Sequence, residues 1–176
     1  NITVGDDSRE AYVFPADATI EGVEDVGYIV ATIGDAGFET LEAAIKAAKA
    51  GQTIVLIRDV KLSQILTIDK AIVLDGNGKK LTSTAARAIN IDTTGNVVIN
   101  DLTINAGERA INIINKASTV ELNNVTATAK NNAVMIATSA GAVKLTIKDS
   151  DLTGLAVVNV AGAGAEVEIN NTDITN

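Results

Sequence analysis

The sequence has no cysteine, no histidine and no tryptophan, and it holds only one proline, one methionine, two tyrosines and two phenylalanines. Without imidazole or thiol, serine and cysteine triads lose their base or nucleophile, and zinc loses both of its favoured ligands. Disulfides and redox-active thiols are excluded as well. The absence of cysteine does not fix a compartment, because it suits the cytosol and many bacterial or archaeal surface proteins alike. Bases are in deficit, 14 against 22 acids, giving a net charge of −8 and a pI near 4.5. Nucleic acid and anionic bilayers repel such a chain, and no apolar run is long enough for a membrane span. Neither nucleic-acid binding nor membrane insertion is expected. What remains is 176 residues that are 47% hydrophobic, enough for the core of one domain. The first residue is Asn1 rather than Met, which we read as a mature secreted chain, extracellular or on a cell surface.

Repetition is the strongest positive signal. The triplets Ile89-Asn90-Ile91, Ile111-Asn112-Ile113, Val134-Met135-Ile136 and Val158-Asn159-Val160 recur at spacings of 22, 23 and 24, each alternating inside and outside. A second block begins at Ile99, Leu122, Ile147 and Ile169, with spacings of 23, 25 and 22. Short period-2 strands separated by Asn, Asp and Gly turns at this period describe the coils of a β-solenoid. The same pattern runs less regularly through Thr53 to Val60, Ile65 to Ile68 and Ala71 to Gly78. This predicts an all-β fold of about five to six coils, on the order of 25 Å tall at ~4.8 Å per coil. Inward Ile, Val, Leu and Ala stack on their own kind, which accounts for the scarcity of aromatics.

One helix is predicted ahead of the coils, Leu41 to Ala50, with Thr40 at its N-cap and Gly51 ending it. Leu41, Ala44, Ile45 and Ala48 form an apolar stripe suited to covering the end of a solenoid. The segments Ile33-Gly34-Asp35, Phe38-Glu39-Thr40-Leu41, Ala44-Ile45, Gly51 to Leu56 and Leu74-Asp75-Gly76-Asn77-Gly78 resemble the start of right-handed parallel β-helix domains of the pectin-lyase-like superfamily. The likeness is greatest to the β-helix domains of large prokaryotic cell-surface proteins and covers residues 33 to 176. It implies a fold and not an activity, because lyases, hydrolases, adhesins and structural proteins share that fold. The calcium-binding acids and arginine of its lyases and the His-assisted aspartates of its polygalacturonases have no counterpart here. Arg87 and Arg109 are adjacent in the coil register but belong to no lyase motif.

Charge and aromatics divide the chain. Residues 1 to 42 carry ten acids and one base, whereas the remainder carries 12 acids and 13 bases. Tyr12, Phe14 and Tyr28 also lie in this N-terminal stretch, with Phe38 at its border. We therefore expect an acidic, strand-forming arm over residues 1–37, with strands at Ala11 to Phe14 and Gly27 to Ile33, and a cap plus β-helix over 38–176. An arm of strand formers beside an open solenoid end suggests strand addition to a neighbouring copy, against the alternative that the arm folds back on its own coils. Tyr12, Phe14, Tyr28 and Ile29 would anchor the arm, and Leu152 and Ile174 would mark the receiving end.

Aligned coils put Thr103, Thr126, Asp151 and Asp173 in one outward column and Asn105, Thr128, Thr153 and Thr175 in the next. Asp151 and Asp173 then stand ~5 Å apart, the separation of a retaining glycosidase pair. No aromatic platform or arginine clamp accompanies them, so a solvated surface pair, or a cation site with Asp149, is the reading we adopt. Asn100, Asn123 and Asn170, interrupted by Lys148, form a column resembling the asparagine ladder of β-helices, with a structural role in the turns. Asp6, Asp7, Glu10 and Asp17 read as a solvated charge run. Asn1-Ile2-Thr3, Asn124-Val125-Thr126 and Asn170-Asn171-Thr172 match the N-glycan acceptor pattern. No cofactor, metal or catalytic residue is assigned.

The expected function is structural: a subunit of an extracellular filament or surface layer, with its own copies as partner. An adhesin-type module contacting glycans, cell-wall material or host proteins is the alternative, and a polysaccharide lyase or hydrolase comes third.

Overall fold

The computed structural model describes residues 28–114 and 118–176. The predicted strands at Ala11 to Phe14, and with them Tyr12 and Phe14, lie outside the described residues. The chain forms a parallel β-solenoid of about five turns, preceded by a short hairpin and one helix.

The hairpin is β1 (Ala31–Ile33) and β2 (Ala36–Phe38), and α1 spans Leu41–Ala47. The first coil holds β3 (Thr53–Leu56), β4 (Val60–Leu62) and β5 (Leu66–Ile68). The second holds β6 (Val73–Asp75), β7 (Lys80–Ser83) and β8 (Arg87–Ile91). The third holds β9 (Asn96–Asn100), β10 (Thr103–Ala106) and β11 (Arg109–Ile113). The fourth holds β12 (Thr119–Asn123), β13 (Thr126–Ala129) and β14 (Asn132–Ile136). The fifth holds β15 (Lys144–Lys148), β16 (Asp151–Thr153) and β17 (Val158–Val160). Then β18 (Glu166–Asn170) and β19 (Asp173–Thr175) begin another.

Like strands of successive coils stack into three sheets. Sheet A runs β18-β15-β12-β9-β6-β3-β1-β2, sheet B β19-β16-β13-β10-β7-β4, and sheet C β17-β14-β11-β8-β5. All coil-to-coil pairs are parallel, and the columns follow the register of the repeats: Thr103, Thr126, Asp151 and Asp173 are successive partners, as are Asn105, Thr128, Thr153 and Thr175. The core is a stack of aliphatic rows such as Ile54, Leu74, Ile99, Leu122 and Ile147, all fully buried. A narrow interior favours such side chains, because β-branched and small groups tile on the pleat without the gaps an aromatic ring would leave.

The corner from sheet A to sheet B is built alike in each coil after the first. After the strand, one residue adopts the left-handed conformation: Asn77, Asp101, Asn124, Asp149 and Asn171, with φ between 45° and 53°. Asn and Asp tolerate this region better than other non-glycine residues. The Asn124 amide donates to Asp101 Oδ1, and that of Asn171 to Asp149 Oδ1. Gly76 answers a separate demand, since a Cβ there would sit 2.5 Å from the Asp101 carbonyl oxygen of the next coil.

The structure corrects three expectations. The helix ends at Ala47, before Ala50: Ala48 still donates to the Ala44 carbonyl, but its ψ of 144° has left the helix. Gly51, with φ of 83°, serves the following turn, in which Gln52 N–H donates to the Lys49 carbonyl. The middle residue of each triplet was expected in solvent, yet Asn90 and Asn112 are buried and bonded to each other, Asn112 Nδ2 donating to Asn90 Oδ1 at 3.0 Å. The strand predicted over Gly27 to Ile33 is confined, among the described residues, to Ala31–Ile33, and it pairs antiparallel with both β2 and β3.

Candidate assembly surface

The two ends of the solenoid are built from the same columns. At the N-terminal end Thr40 Oγ1 accepts from Ala43 N–H and starts α1, and Leu41, Ala44 and Ile45 are its buried face. The helix packs against β1, β2 and β5. Its last carbonyls, which have no intrahelical donors, are met from the next coil: Lys70 Nζ donates to Ile45 O and Lys46 O at 2.9 Å and to Ala48 O at 3.2 Å. A cation is also the favourable charge at this pole of the helix dipole. Open grooves flank α1, about 430 Å³ between Leu41 and Val60 and about 280 Å³ between Ile45 and Leu66.

At the other end the rows run out into solvent. Ile54 at 0%, Val60 at 7% and Ile68 at 0% exposure open the columns that end in Ile169 at 38%, Ile174 at 51% and Val160 at 46%. Val167 and Leu155 add to the exposed apolar surface. Among the described residues β17, β18 and β19 are the C-terminal edges of the three sheets. An unpaired parallel edge offers a row of free N–H and C=O groups, and exposed Val and Ile beside it offer area for burial.

The predicted site residues are distributed unevenly over this picture. Ile174 lies on the exposed surface, but Leu152 does not: it is 1% exposed, beneath Ile174 in the same column. Val160, Val167 and Ile169 were missed, although continuing the repeat by one coil would have found them. Tyr28 is exposed and holds the Arg58 guanidinium 4.4 Å from its ring centroid. The Ile29 carbonyl accepts from Arg58 Nε at 3.1 Å, and its side chain lies over Gly37, where a Cβ would come within 3.1 Å. Both residues are thus held on their own hairpin and first coil.

In the asparagine column, Asn123 Nδ2 donates to Asn100 Oδ1 at 2.9 Å, whereas Asn170 turns to Glu168 Oε1 of its own strand. The left-handed column one residue further on carries the second set of rungs. Asp151 and Asp173 are neighbours on the exposed outer face of sheet B. No group of three or more potential metal ligands occurs among the described residues, and no helix among them is long and apolar enough to cross a membrane.

No family model matches the chain, and no curated protein or solved structure is significantly similar to it.

Charge sharpens the surface. From residue 149 onwards the chain has five acids, Asp149, Asp151, Glu166, Glu168 and Asp173, and no base, whereas residues 43 to 148 have seven acids and 13 bases. The exposed end is an apolar patch with an acidic rim.

Proposed function

We propose that the protein is a structural subunit rather than an enzyme, extending a solenoid from one molecule to the next in an extracellular filament or surface layer. The observation that carries this reading is the contrast within single columns, buried at Ile54, Val60 and Ile68 and exposed at Ile169, Ile174 and Val160. Strand addition there buries apolar side chains and satisfies backbone groups in one step. A head-to-tail contact of this kind does not close, so it propagates. The acidic N-terminal arm of a neighbouring copy supplies the strand, with Tyr12 and Phe14 as anchors, while Tyr28 and Ile29 stay on their own hairpin and first coil. The finer assignment, to β-helices of the pectin-lyase-like superfamily as found in prokaryotic cell-surface proteins, belongs to this proposal. A helix ahead of the first coil and the Asp75-Gly76-Asn77-Gly78 turn support it.

Arm and receiving end are both acidic, so their contact tightens as salt screens the repulsion. Electron microscopy and light scattering of the purified chain test the reading. Uniform fibres whose growth quickens with ionic strength support it, and particles that stay monomeric when concentrated at every ionic strength overturn it.

The outer face of sheet B favours a second reading, a binding module of adhesin type for glycans or host proteins. Lys61, Thr82, Asn105, Thr128, Thr153 and Thr175 form one unbroken polar column there. This reading predicts a monomer that binds through that face.

A further inference from the structure

We propose that Arg87 and Arg109 form a site for a tetrahedral oxyanion, a sulfate or phosphate group carried by a larger ligand. The two residues open β8 and β11 and are Cα partners in the parallel ladder of sheet C. Their backbones therefore stand one strand spacing apart, ~4.8 Å. Both are half-buried. Among the described residues neither guanidinium has a hydrogen-bond or ion-pair partner. Two like charges stacked in this way repel, and the repetition that tiles aliphatic side chains so well offers no relief for them.

The acid nearest in sequence is engaged elsewhere. Lys130 Nζ lies 3.5 Å from Glu108 Oε1, and Asn131 Nδ2 donates to Glu108 Oε2. Glu108 and Asn131 nevertheless stand beside the pair, and together with Ala86, Arg87 and Arg109 they line an open cavity of about 210 Å³. The site is thus a concave pocket lined by two arginines whose one carboxylate, Glu108, is held by Lys130 and Asn131, on a chain that is otherwise acidic.

The oxyanion class follows from hydrogen-bond arithmetic. A guanidinium presents two parallel N–H groups as a fork, and the two oxygens of a carboxylate fill one fork. A sulfate or phosphate group has enough oxygens to meet two forks stacked one strand spacing apart. Arg58, the third arginine of the solenoid, is already committed to Tyr28 and Ile29 O. The site also lies away from the exposed coil end, so occupancy and assembly are separable.

The test is a titration of the full chain with sodium sulfate and with sodium phosphate against sodium chloride at matched ionic strength, read from the arginine Nε–Hε resonances and the thermal midpoint. Saturable shifts of Arg87 and Arg109 with Arg58 unmoved, together with a rise in midpoint, are expected. Arg87→Gln should weaken binding about tenfold or more, while Arg87→Lys, which keeps the charge but loses the fork, should fall between. Without added oxyanion, Arg87→Gln should leave the midpoint equal or raise it, because it removes a repulsion. Glucose 6-sulfate and glucose 6-phosphate, each compared with glucose, distinguish the two sources of the group. Equal, non-saturating shifts of all arginines, or no shift at tens of millimolar sulfate or phosphate, overturn the proposal.

Discussion

Ile54 and Ile169 occupy one column of sheet A, and they share a residue type and an inward orientation in the register. One is sealed below α1 and the β1–β2 hairpin, while the other faces water above the last strand. The same contrast of burial separates Val60 from Ile174 and Ile68 from Val160, pairs that differ only between valine and isoleucine. In a solenoid each coil touches only its neighbours, so a residue's environment depends on whether a further layer is present and hardly at all on its own chemistry. The N-terminal end supplies that layer from a different kind of structure, a helix fixed by Thr40 at its start and by Lys70 at its end. At the C-terminal end of the described residues the corresponding rows are exposed.

Breaking the closed end should cost most. Leu41→Asp puts an unpaired carboxylate into a fully buried site and should destabilise by about 4 kcal/mol or more, seen as a large fall in the urea midpoint. Gly76→Val comes next, because its Cβ would meet backbone of the third coil at 2.5 Å, for which we expect a loss of roughly 2–3 kcal/mol. Lys70→Met keeps the stem but strips three hydrogen bonds from the helix carbonyls; about 1–2 kcal/mol should go, and the first coil should gain hydrogen-exchange rate before the others. Ile174→Asp, at the open end, should move the unfolding midpoint of dilute protein by less than about 0.5 kcal/mol. The same change should abolish fibre growth, measured by light scattering. If Ile174→Asp instead destabilises the monomer as Leu41→Asp does, the two ends are not different in kind.

The repeating register was legible because one inward apolar column and one outward polar column recur together, which leaves a single alignment of Thr103, Thr126, Asp151 and Asp173. Thr40 and the Leu41, Ala44, Ile45 stripe likewise announced α1. What stayed hidden were choices between chemically similar neighbours. In Asn100-Asp101, Asn123-Asn124 and Asn170-Asn171 either residue is suited to a left-handed turn, and only the backbone shows that the second one takes it. Period-2 alternation puts Asn90 and Asn112 opposite the isoleucines and so into solvent, with no means of expressing that stacked amides pair and become buried. The hairpin was obscured by composition, since Asp35 and Phe38 made residues before the helix look like part of the acidic, aromatic arm. The assembly surface was half visible: Ile174 sits where a terminal row must, but Leu152 is already one layer down.

The corner between sheets A and B is held short in every later coil, at Asp101-Leu102, Asn124-Val125, Asp149-Ser150 and Asn171-Thr172, and its left-handed residues bond from coil to coil. The slack in the repeat is taken up at the other two connections: from sheet B to sheet C, short at 107–108 and longer at 154–157, and from sheet C back to sheet A, compact at residues 69–72 and 92–95, where Gly95 lies against Ala71, and longer at 137–143, where Thr138–Ala140 makes a turn of its own. One corner acts as the ratchet of the stack and the other two as its hinge pins. A foreign peptide spliced in near Ser139 would hang outside the stack without altering the pitch, so the solenoid is a ruler that carries labels at a fixed height, in graduations of ~4.8 Å.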